Sequence, residues 1–173
     1  MSQLFLTDLE GGSMNSKDSV FHEAVSKLLV EIFEGPPGDE AYVLNPGDPG
    51  LLRQLETLSA ATASTPSAPA KPPIAAHIDH LHFGLSLVNR WMAGEENPWA
   101  DADWNASWRI TTVTEEQWRA LLSKLRQAAT SWREISRAKQ DWDGLAAAGA
   151  ISTVAHTAYH LGAIRQILAV ANR

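Results

Sequence analysis

Apolar residues recur at helical spacing in four long stretches of the chain. The first runs through Phe21, Ala24, Val25, Leu28, Leu29 and Ile32, which share one side of a helix. Asp18 or Ser19 is placed to cap its start, and the GPPG run at 35–38 stops it. The second long helix covers 74–93, with the stripe Ile74, Ile78, Leu81, Leu85, Val88 and Met92, and Gly94 ends it. Thr114 opens the third, because Thr114 and Gln117 have the spacing of a capping box. Its apolar face is Trp118, Leu121, Leu122, Leu125, Trp132 and Ile135. The last long helix spans 152–171 after a turn at 141–150. Gly162 lies inside it, and a helix-interior glycine costs about 1 kcal/mol relative to alanine, so close packing is the expected reason for it.

The segments between these helices read differently. Residues 36–50 are rich in Pro, Gly and Asp and form a loop, and 51–58 suit a short helix carrying Leu51, Leu52, Leu55 and Leu58. The run ATASTPSAPAKPP at 61–73 is a flexible stretch of small residues and prolines. A long surface crossover is favoured there over a domain boundary, since the short segment before it cannot bury a core of its own. No alternating pattern or hairpin dipeptide competes with helix. The expectation is an all-α four-helix bundle with one long crossover connection. Residues 1–17 would be a lead-in and 18–173 a single domain.

Composition narrows the function. The 173 residues carry 45% hydrophobic and 20% charged side chains, as in a globular protein, and seven tryptophans. The net charge of −6 offers no basic face, which argues against nucleic acid and against an anionic membrane surface as partners. The absence of cysteine excludes disulfides, thiolate ligands and a cysteine nucleophile. MSQLFLTDLEGG lacks the features of a signal peptide, no run has the length of a membrane span, and a cytoplasmic location is expected.

The chemistry lies in the histidines. His156 and His160 stand four residues apart, one turn along the face that carries Ala163, Ile164 and Ile167. Two imidazoles in an apolar seam need partners, and a shared metal ion satisfies one nitrogen of each. HIDHLH at 77–82 supplies a second cluster, in which His77 and His80 edge the apolar stripe and His82 is rotated away. One histidine from the second long helix and two from the last would give three nitrogen ligands and an open position. His22 and His82 are read as surface or partner-bonded residues without a role. The tryptophan-rich loop at 95–108, with Trp99, Trp104 and Trp108, either covers the end of the bundle or walls a pocket beside the metal; the first reading is favoured.

With these residues in view, the chain resembles the DinB-like (damage-inducible, YfiT-like) family of bacterial helical bundles. PPIAAHIDHL at 72–81 is similar to the family's ligand-bearing segment, where an apolar position stands six residues ahead of the ligand histidine, as Ile74 does ahead of His80. HTAYHLGAIRQIL at 156–168 is similar to its closing His-x-x-x-His helix. The order and lengths of the long helices agree after about residue 18, while Pro72 stands where the family often has tryptophan. The resemblance implies metal ligands His80, His156 and His160, a divalent ion such as nickel or zinc, and frequent homodimers. The helical wheel keeps His77 open as the first ligand, since it lies slightly nearer the apolar centre. The resemblance also implies a metal-dependent S-transferase using a small thiol cosubstrate. The alternatives are a non-catalytic metal-stapled stress or binding protein and a metal-dependent hydrolase. Hydrolysis would need a general base. Asp79 projects away from the stripe, and the sequence does not place Asp101, Asp103, Asp141 or Asp143.

Overall fold

Gly35 decides where the first helix ends. It takes φ +100°, a left-handed conformation that L side chains rarely adopt, and its N–H still bonds the Glu31 carbonyl at 2.8 Å. In a computed structural model the structure describes residues 16–139 and 141–171, so of the expected lead-in at 1–17 residues 1–15 lie outside the described residues and 16–17 belong to the first helix. The order is α1 (Ser16–Glu34), α2 (Leu51–Glu56), α3 (Ala60–Ala63), α4 (Ile74–Met92), a single 3-10 turn (Ala106–Trp108), α5 (Glu115–Ala138) and α6 (Gly144–Ala171). The fold is all-helical, with no strand among the described residues. No helix among them is long and apolar enough to cross a membrane.

The apolar stripes read from the sequence become the core. Leu29, Ile32, Ile74, Ile78, Trp118, Leu125, Trp132 and Ile164 are all buried to 1% exposure or less. Helix α4 packs against α5 and α6, and α1 packs against α6 and α5. Thr114 caps α5 as its spacing predicts: its side chain accepts from Gln117 N–H at 3.2 Å, and Gln117 Oε1 accepts from Thr114 N–H at 2.9 Å.

Four sequence expectations are corrected. Helix α1 starts at Ser16, so Asp18 and Ser19 lie inside it and not at its cap. The crossover is not wholly irregular: Ser59 caps α3, Ala60 and Ala63 are buried, and Ala60 N–H donates to Glu115 on α5 at 2.8 Å. Small side chains there let the backbone approach α5 closely, which composition alone reads as flexibility. Helix α6 begins eight residues early, at Gly144. The Asp143 carboxylate accepts from Ala146 N–H at 2.7 Å, and the alanines that follow propagate the helix without an apolar period. The glycine that α6 packs closely is Gly149, where a Cβ would stand 2.6 Å from the Trp91 ring; Gly162 is exposed and faces open space.

The loop at 35–50 turns back on the end of α1. A Cβ on Gly50 would lie 2.3 Å from Gly35 N, so only glycine fits this contact. Glu31, 1% exposed, holds the loop from within α1: its carboxylate accepts N–H bonds from Tyr42, Val43 and Leu44 at 2.7–3.1 Å. Burial alone would raise its pKa, but these three donors outweigh burial and hold it below the ordinary carboxylate value.

Candidate metal centre

Helices α4 and α6 bring four histidines together at one point of their packing seam. His77 and His80 come from α4, His156 and His160 from α6. Each pair lies on one helix face because its members are three or four residues apart. One nitrogen from each of His80, His156 and His160 falls in a group whose members lie within 4.8 Å of one another. His156 Nε2 and His160 Nε2 are 3.1 Å apart. Two imidazole nitrogens bound to one ion at about 2.0–2.1 Å in tetrahedral geometry stand about 3.3 Å apart, so the spacing fits a shared cation.

Hydrogen bonds at the back of two of these rings, His80 and His160, aim the front. Ser107 Oγ donates to the Trp104 carbonyl at 2.7 Å and lies 2.9 Å from His80 Nδ1. With its proton committed, the hydroxyl accepts from His80 Nδ1–H, which assigns the lone pair of His80 to Nε2. His77 Nδ1 lies 2.9 Å from His160 Nδ1. When His160 donates this bond, its Nε2 lone pair is free for an ion. His77 thus stands behind His160, and His80 faces the helix α6 pair.

Burial keeps these rings neutral. It pushes His160 down to about 3, helped by His156, His77 and His80, and pushes His80 down to about 4, helped by His156 and His77. Burial also lowers His77 and His156. Neutral imidazole is the form that ligates metal. Three close, neutral imidazoles, two of them oriented by hydrogen bonds, can hold a metal ion.

Aromatic rings flank the cluster. Trp108 stacks on His80 with centroids 4.3 Å apart and meets His77 edge-on at 5.2 Å. Trp104 leans on His80 at 5.6 Å, and Tyr159 meets His160 edge-on at 5.2 Å. The loop between α4 and α5 reaches this position because Asp103 accepts from Ala106 N–H at 2.9 Å and so starts the 3-10 turn that carries Ser107 and Trp108. Sequence reasoning missed Ser107. Its one local signal is Asp103, three residues before Ala106, a spacing that favours a turn.

His156 also faces a cavity of about 640 Å³ between α4, α6 and the tryptophan-rich loop. Trp99 and Trp104 line it, together with Trp91, so this loop walls a pocket and does more than cover an end. The other candidate residues lie apart from the cluster. His22 is buried, 3.2 Å from Ser26 Oγ and stacked beside Trp142. His82 meets the Ser86 hydroxyl at 3.3 Å. Asp79 is half-buried, its pKa raised by burial against the opposing pull of His82 and Lys124. Asp103 and Asp143 cap helical turns, and Asp101 and Asp141 are exposed. Comparison with protein-family models, curated proteins and solved structures found no match to this chain.

Proposed function

We propose that this chain is a divalent-metal-binding protein of the DinB-like kind, a four-helix bundle with a long crossover, acting as a metal-dependent small-thiol S-transferase. The packing of α1, α6, α4 and α5, each against the next and α5 back on α1, supports the bundle reading. The observation that carries the function is the placement of His156, which belongs to the three-imidazole group and also lines the cavity. A bound divalent cation would lower the pKa of a coordinated thiol and so supply a nucleophile at neutral pH. His80, His156 and His160 would hold it as neutral nitrogen donors, with nickel or zinc suited to such a set. Ser107 and His77 keep the donor lone pairs of His80 and His160 aimed inward. Trp108, stacked on His80, and Trp104, leaning on it, shield that ring on the α4 side. The net transfer joins the thiol sulfur to an electrophilic carbon; the leaving group departs with the bonding pair and takes up the thiol proton.

The hydrolase alternative draws little support from the acids: Asp103 and Asp143 serve as caps, Asp79 sits beside His82 and Lys124, and Glu96, the acid that lines the cavity, is exposed to solvent. A homodimer belongs to the same reading. No Asp, Glu, Lys or Arg occurs from 144 to 164, yet Ile151 and Tyr159 on α6 are 56% and 70% exposed. Sedimentation velocity tests that part.

Elemental analysis of the purified protein tests the centre. One divalent ion per chain is expected, lost in both His156→Ala and His80→Ala. Unchanged metal content in the two variants overturns the assignment, and loss in His77→Ala alone moves the first ligand by one turn. Thiol transfer to an electrophile that disappears with chelator and returns with metal supports the enzyme. Strong thermal destabilisation by chelator without any turnover would leave the ion as a staple between α4 and α6.

A further inference from the structure

The cavity beside His156 has mainly apolar walls. Trp91, Trp99 and Trp104 supply large flat surfaces, and Leu81, Leu85 and Val88 of α4 form the floor. Trp91 lies against α6 only because residue 149 is glycine, and its ring meets that of Trp99 at 5.5 Å. Phe83 fixes Trp104 from behind in an edge-to-face contact at 5.2 Å. The threonine hydroxyls of the α6 wall are already spent: Thr153 donates to the Gly149 carbonyl at 2.9 Å and Thr157 to the Thr153 carbonyl at 2.8 Å. These two threonines therefore have no proton to offer a ligand, and the lining residues Asn97 and Ser152 are exposed to solvent. Among the described residues, no lysine or arginine lines the cavity, and the acid that does is Glu96, exposed at the rim.

We propose that this cavity binds an uncharged, planar aromatic molecule, held between the tryptophan faces with its edge toward His156. A volume of about 640 Å³ suits a small organic ligand. Aromatic rings stack on indoles in offset or edge-to-face geometry. An anionic ligand would leave water for apolar walls without a counter-charge and would meet the Glu96 carboxylate on entry. Calling the occupant the electrophilic substrate rests on the thiol-transfer reading; the binding site itself stands on the cavity.

Calorimetric titration with 1-naphthol and with 1-naphthalenesulfonate tests this, on the full chain with and without chelator, alongside metal analysis of each sample. One saturable site is expected for 1-naphthol, with affinity at least about tenfold above that for the sulfonate. Ser152→Trp, at an exposed rim position of α6, would plug the cavity and cost 1-naphthol about tenfold or more. Glu96→Gln would raise sulfonate affinity by about two- to fivefold and leave that for 1-naphthol unchanged. Absence of 1-naphthol binding, equal affinity for the two probes, or unimpaired binding by Ser152→Trp overturns the proposal. Saturable binding to untreated protein that holds no metal and takes up none when divalent ions are supplied upholds the cavity and defeats the metal reading. Retained metal without 1-naphthol binding does the reverse.

Discussion

A carboxylate sealed inside a protein persists only where its lone pairs are used, and Glu31 uses them on three consecutive backbone N–H groups. Glu31→Ala would strand those donors and release the loop at 35–50. A loss of about 2–4 kcal/mol is expected in denaturant unfolding, and a change within about 0.5 kcal/mol would show that the donors find water instead. Ser107 acts on a smaller scale. Its hydroxyl orients His80, and partners of this type typically set metal affinity by about 10–100-fold. Ser107→Ala should therefore weaken metal binding by about tenfold in competition titrations with a chromophoric chelator while leaving one ion per chain at saturation. Neither residue announces itself in the sequence. A glutamate at position 31 and a serine in a tryptophan-rich loop look like solvated positions, because the partners that give each its role lie outside its own element: the loop after α1 for Glu31 and His80 of α4 for Ser107.

The elements differ in how far they could be read. Helices α4 and α5 were legible because one face of each is apolar at helical spacing and because Thr114 and Gln117 mark a start. That one histidine of α4 would meet His156 and His160 followed from spacing on two helices plus the choice of which helices are neighbours, whereas the preference for His80 over His77 came from the family resemblance, since the helical wheel set His77 nearer the apolar centre. Helix α6 was read too short, since its first turns are alanine and glycine with no period, and Asp143 was the remaining signal. The same helix holds a glycine whose function the sequence misjudged. Gly162 is exposed, helical and faces open space, so the extra methyl of alanine meets nothing. Gly162→Ala is expected to stabilise the protein by about 0.5–1 kcal/mol, seen as a rise in Tm. Gly149→Ala should do the opposite, because its Cβ would collide with the Trp91 ring. Equal shifts in the two variants would contradict the packing described for α6.

At the scale of the whole molecule, the histidines couple folding to pH. All six titrate below their ordinary value of 6.5, each with burial as the leading cause. In the unfolded chain they take up protons as the pH falls through 6.5. In the folded chain His80 waits until about 4 and His160 until about 3. Between these limits the unfolded state binds more protons, so stability is present above 6.5 and is lost progressively as the pH falls toward 4. Glu31, held below the ordinary carboxylate value, adds a further loss under more acidic conditions, once its carboxylate must be protonated. A divalent ion at about one hundred times its Kd would add about 2.7 kcal/mol near neutral pH, where the three nitrogens are free to bind it. That gain shrinks on acidification, because each ligand must give up the ion to take a proton. Melting curves with and without metal should therefore lie farthest apart near about pH 7 and converge toward about pH 4. The metal-free curve alone should already slope downward over that interval. A metal-free Tm that stays level from about pH 7 to about pH 5 would mean that these imidazoles are not buried as the fold requires.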